Sequence, residues 1–71
     1  MYKYVINETT VRDGDAERTW YGVDVYRGGE KIRSVYDISP DREATGRLAR
    51  TCSRLGLDLI HFDDVIDDFI G

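Results

Sequence analysis

The chain has 71 residues, of which 41% are hydrophobic, 11% aromatic and 34% charged, with a formal net charge of −4. That composition excludes disorder, which goes with few aromatics and a large net charge, and the length allows one hydrophobic core rather than two. The lone cysteine, Cys52, excludes an internal disulfide and fits a reducing compartment. Together with the lack of any long apolar run for a leader or a membrane span, it makes a cytoplasmic location the expectation.

Three strands are predicted first, at about residues 2–12, 17–27 and 30–38. Tyr2, Tyr4 and Ile6 alternate with Lys3, Val5 and Asn7, the period of two that marks a strand. Asp13-Gly14 is a favoured hairpin pair. In the second strand Thr19, Tyr21, Val23 and Val25 share one face, and Trp20, Gly22, Asp24 and Tyr26 the other. Gly28-Gly29 closes a second hairpin. The third strand places Ile32, Ser34, Tyr36 and Ile38 on one side. Turns this short imply an antiparallel meander, since parallel crossovers need about a dozen residues or more.

Two helices are predicted next, at about 40–55 and 61–70. Ser39-Pro40 reads as a serine N-cap followed by a proline in the first turn. Ala44, Leu48, Cys52 and Leu55 form an apolar stripe, with Arg47, Arg50 and Arg54 beside it. Gly56 is placed to end the helix. Leu57–Ile60 reads as an apolar link. In the last helix Phe62, Val65, Ile66, Phe69 and Ile70 oppose Asp63, Asp64, Asp67 and Asp68, an amphipathic pattern. The expected fold is therefore one α+β domain over residues 1–71, with both helices packed on one face of a three-stranded antiparallel sheet.

Asp37-Ile38-Ser39-Pro40-Asp41-Arg42-Glu43, then Leu48, Cys52 and Leu55, then Ile60-His61 and Asp64-Val65-Ile66-Asp67-Asp68-Phe69, resemble a family of short proteins of unknown function from clostridia-like Gram-positive bacteria. Tyr2-Lys3-Tyr4 and Tyr21-Gly22-Val23 suit the same family. The resemblance implies a bacterial protein with this fold. It carries over no catalytic or binding residues.

The residues give little support to catalysis. Cys52 lies on the apolar side of its helix, where a cysteine acts as a small hydrophobe and lacks the electropositive setting of a reactive thiolate. His61 with Asp63, Asp64, Asp67 and Asp68 has spacings that can chelate a cation, but a solvated acidic face is the expectation, with no metal and no cofactor. Arg47, Arg50 and Arg54 could track phosphates, yet they are few, and the last helix offers them aspartates.

The aromatics point to binding. With Tyr21, Val23 and Val25 under the helices, Trp20 and Tyr26 fall on the outer face, together with Val5 and Val35 and beside Lys3, Lys31 and Arg33. Exposed apolar patches on small domains mark association, so Trp20, Tyr26, Arg33 and Val35 are the candidate docking residues for a protein partner or a second copy. Asp24 and Asp37 on that face argue against nucleic acid. The alternative is an acidic inhibitor or nucleic-acid mimic that meets a basic partner through Asp63, Asp64, Asp67 and Asp68.

Overall fold

In the computed structural model, which describes residues 2–70, β1 (Tyr2–Asp13) and β2 (Ala16–Arg27) pair without interruption from Tyr2↔Arg27 to Asp13↔Ala16. Asp13 stays in the strand, and the turn is Gly14-Asp15, with Gly14 at φ 64°. A glycine first in a two-residue loop is what a type II′ hairpin requires. β2 pairs antiparallel with β3 (Glu30–Ser39) across Gly28 and Gly29, both at positive φ. The sheet order is β1-β2-β3. α1 (Arg42–Leu55) and α2 (Leu59–Ile70) follow, giving the α+β architecture.

Both helix starts differ from the sequence reading. The N-cap of α1 is Asp41, whose carboxylate accepts from the amides of Glu43 at 3.0 Å and Ala44 at 3.1 Å. Ser39 remains in β3 and accepts from the Asp41 amide. The helix of the C-terminal segment begins at Leu59, before the expected His61, because Asp58 accepts from the His61 amide at 2.9 Å. In each case an aspartate one residue before the helix supplies the cap.

The buried stripe of α1 is Thr45, Ala49 and Cys52; Leu48 is half-buried and Leu55 is 62% exposed. The helix is rotated from the Ala44–Leu55 stripe because small residues on the sheet side allow a close approach. The Ser53 hydroxyl reaches the β1 backbone, accepting from the Tyr4 amide at 2.8 Å and donating to the Tyr4 carbonyl at 2.9 Å. The core comprises Tyr4, Val23, Val25, Ile38, Ala49, Cys52, Phe62 and Ile66. α1 lies mainly along β1, and α2 lies against β3. Gly56, at φ 61°, ends α1 and donates to the Ser53 carbonyl.

Tyr4 joins most of these parts. Its ring packs on Phe62 of α2 with centroids 4.8 Å apart, and its hydroxyl donates to the Leu57 carbonyl at 2.5 Å. Burial, reinforced by negative charge at Cys52 and Asp58, pushes the phenol up from its ordinary 10.0 to about 12. The unfolded chain releases this proton near pH 10 and the folded chain near pH 12. The stability tied to the neutral phenol is therefore complete below pH 10 and declines between pH 10 and 12. Urea unfolding across that window should show a steeper loss for wild type than for Tyr4→Phe; parallel curves would contradict this account of Tyr4.

Candidate functional site: the outer sheet face

The face turned away from the helices is set by β1–β2 register. Opposite pairs on it are Lys3–Tyr26, Val5–Asp24, Asn7–Gly22, Thr9–Trp20 and Val11–Arg18. Trp20 and Tyr26 therefore stand on this outer face, both half-buried. Two other docking candidates do not. Val35 pairs with Val23 and packs against the core, and Arg33 pairs with Val25 and forms an ion pair with Asp63 of α2. Both side chains are on the helix side, correcting their expected placement.

Two register shifts interrupt the pairing of β2 with β3. Tyr21 faces Ser39 and Val23 faces Val35, so Gly22 alone spans Tyr36, Asp37 and Ile38. Asp37 absorbs the extra chain length at φ 56°. The other shift, nearer the Gly28-Gly29 turn, releases Ile32 between Arg33 and Lys31, and it alone reverses the faces of Arg33 and Val35. A bulge changes which face later residues occupy, so Ile38 turns into the core while Ile32 and Tyr36 remain exposed.

The middle of the outer face is polar. The Asn7 amide group donates from Nδ2 to Asp24 Oδ1 at 2.9 Å and to the Val35 carbonyl at 3.2 Å. Ser34 donates to the same Asp24 oxygen at 2.7 Å, and Lys31 Nζ lies 3.8 Å from the other. Asn7 reaches the Val35 carbonyl because Gly22, directly beneath it, has no side chain. In effect, Asn7 supplies a hydrogen bond where the bulge interrupts the ladder.

This polar centre divides the aromatic candidates into two patches. At one end, Tyr26 shares a shallow depression with Tyr2, Lys3, Val5, Gly28, Gly29 and Ser53. At the other, Trp20 borders Val11, Arg12, Arg18 and Asp37. That second patch lies on the distal half of the β1–β2 hairpin, where residues 10–18 are exposed and neither helix contributes a core residue. The hairpin accounts for the elongated shape, 42 Å by 26 Å by 17 Å.

The other candidates are dispersed. Cys52 is buried, and burial pushes its thiol up from the ordinary value. His61 is exposed and has Nδ1 2.9 Å from Asp58 Oδ1. Hydrogen bonds from the His61 amide, followed by the imidazole's charge, hold the Asp58 carboxyl low. Asp63 is engaged by Arg33, whereas Asp64, Asp67 and Asp68 are exposed. Among the described residues, no ion pair links Arg47, Arg50 or Arg54 to α2, so the expected pairing of the two segments is made by β3 and α2 instead. No group of three or more His, Cys, Asp or Glu side chains among the described residues is arranged to hold a metal. No helix among them is long and apolar enough to cross a membrane.

The sequence profile of one family matches residues 1–71. The chain belongs to DUF6514, a family of unknown function. No curated protein and no solved structure matches it. Membership agrees with the unknown-function resemblance drawn from residues 37–69, and the fold described above is that of a DUF6514 member.

The site geometry carries two expected outcomes. A Cβ at Gly22 would collide with the Val35 carbonyl and approach Asn7 Oδ1 to 2.7 Å. Gly22→Ala should therefore lower stability by about 3 kcal/mol, read from the urea midpoint; a wild-type midpoint would show that the bulge yields freely. Cys52 should resist iodoacetamide in the native state and react fully in denaturant, and rapid native labelling at neutral pH would contradict its burial.

Proposed function

We propose that this chain is a small non-enzymatic protein-interaction module that docks a protein on the outer face of its sheet. The observation supporting the reading is the spacing of Trp20 and Tyr26 on one face, either side of the Asn7–Asp24–Ser34 network. Six residue steps along the strand separate them by about 20 Å. A small molecule would not touch both; a protein surface can, with two apolar anchors flanking a hydrogen-bonding centre. The polar centre also suits a surface that stays solvated when free.

Cys52 and His61 lie in different settings, one buried and one exposed, which favours binding over nucleophilic chemistry. A cytoplasmic location, supported by the single cysteine, and an origin in clostridia-like bacteria, supported by the resemblance, belong to the same proposal. Self-association through the outer face is one form it can take. The alternative, an acidic inhibitor of a basic partner, draws on the exposed Asp64, Asp67 and Asp68; Asp63 is less available to it because Arg33 already neutralises that carboxylate.

Crosslinked affinity capture from the host, quantified across variants, separates these readings. Trp20→Ala and Tyr26→Ala should each reduce recovery of the same protein about tenfold or more, while Asp64→Asn/Asp67→Asn/Asp68→Asn should leave it unchanged. The reverse pattern would replace the outer-face reading with the acidic one. Because Trp20 is the only tryptophan, a blue shift of its emission with increasing protein concentration would identify the self-associating form.

A further inference from the structure

β1 is an edge strand, and its free side is legible from one contact. Ser53 binds both the amide and the carbonyl of Tyr4, so those groups point away from β2. The β1–β2 register has no shift, so the backbones of Ile6, Glu8, Thr10 and Arg12 point the same way by alternation. Among the described residues, Tyr4 is the only position on that side bonded by another element. From Glu8 to Arg12 the edge is open, and such a row of unpaired groups is a template for another strand.

We infer that this edge pairs with the same edge of a second copy, antiparallel, about a twofold axis through Thr10. The axis places Glu8 opposite Arg12 of the second copy, and Arg12 opposite Glu8 of the second copy. An axis through Glu8 would oppose two glutamates, and one through Arg12 two arginines. Axes at Thr9 or Val11 leave both charges facing uncharged residues. Opposite charges favour a cross-strand pair and like charges disfavour it, so one register is selected and its neighbours are not.

The same axis has a second consequence. It sets Gly14 of the second copy opposite Ile6, delivering the Asp13–Asp15 turn to a depression lined by Ile6, Arg42, Glu43, Gly46 and Arg50. Asp13, Asp15, Arg42 and Arg50 are all exposed, and none is in an ion pair among the described residues. An acidic turn thus meets a site with two arginines and one glutamate. Pairing is isologous and closes on itself, producing a six-stranded sheet with all helices on one side and both Trp20 side chains on the other. This inference concerns the strand edge and does not rest on the proposed docking of a partner on the sheet face.

Sedimentation of purified chains tests it. Wild type should dimerise with rising concentration. Glu8→Arg and Arg12→Glu should each weaken that dimer about tenfold or more, while an equimolar mixture of the two should form a heterodimer, because every opposed pair in it is again of opposite sign. Arg50→Glu should weaken the wild-type dimer several-fold, whereas Arg54→Glu should not. The Thr10 amide should become protected from hydrogen exchange on dimerisation, and Trp20→Ala should leave the dimer intact. A wild type that stays monomeric from micromolar to near-millimolar concentration would overturn the inference. So would folded single variants whose mixture does not associate, or a dimer lost with Trp20→Ala but retained in Glu8→Arg; that last result would transfer self-association to the sheet face.

Discussion

The clasp on Tyr4 is the constraint on which the rest of the structure depends. A three-stranded sheet with 12-residue outer and central strands has no intrinsic reason to hold two short helices at a fixed angle. The Ser53 hydroxyl fixes α1 to the β1 backbone, the Tyr4 ring meets Phe62 of α2, and the Tyr4 hydroxyl holds the connection between the helices at Leu57. Buried hydrogen bonds of this kind add little net energy each, but leaving their groups unpaired costs about 1–3 kcal/mol per group. Their main effect is therefore on geometry: other helix placements would strand the same polar atoms.

That clasp also explains the shape. It operates near the N-terminal end of β1 and the C-terminal end of β2, where Tyr4, Val23 and Val25 form the sheet side of the core. Beyond Glu8 the hairpin continues with no helix above it, held by its own ladder, the Thr10–Thr19 hydroxyl contact at 3.2 Å and the Arg12–Glu17 pair at 3.2 Å. Exposed pairs such as the latter contribute about 0.2–1 kcal/mol, and isolated two-stranded hairpins are marginal in water. The distal arm is thus the least supported part of the molecule, and it carries Val11 and Trp20. A stretch that burial does not explain is where a role in association has most physical content.

The order and type of all five elements were legible because the local signals were strong and consistent: alternation in β1 and β2, glycines at both turns, an amphipathic period in α2, and Gly56 as a stop. Three features were less legible, each for a stated reason. Helix starts were misplaced because several residues near each boundary could cap, and only coordinates distinguish Asp41 from Ser39 or reveal Asp58 serving α2. The α1 face was misassigned because hydropathy favours Leu48 and Leu55 over Thr45, Ala49 and Ser53, whereas close helix–sheet approach selects small residues. The faces of Arg33 and Val35 were reversed because alternation assumes an unbroken register. Gly22 inside β2 was a warning only for the shift at residues 36–38, since a strand-interior glycine often marks a bulge or a close backbone approach; the shift at Ile32, which reverses Arg33 and Val35, has no glycine opposite it.

The polar centre of the outer face follows from that same glycine. Removing the side chain at position 22 opens the gap into which Asn7 extends, and Asn7 then recruits Asp24, which recruits Ser34 and Lys31. A register fault in the backbone has thereby been converted into a fixed pattern of side-chain donors and acceptors, bordered at one end by Tyr26 and at the other by Trp20. A valine at that position would fill this gap with an apolar side chain beside Asn7 and Asp24. The bulge instead spaces the apolar groups and interposes directional ones, and directional groups penalise a mismatched surface by leaving hydrogen bonds unmade. The interruption that obscures the strand in the sequence is thus the same feature that gives its exposed side chemical specificity.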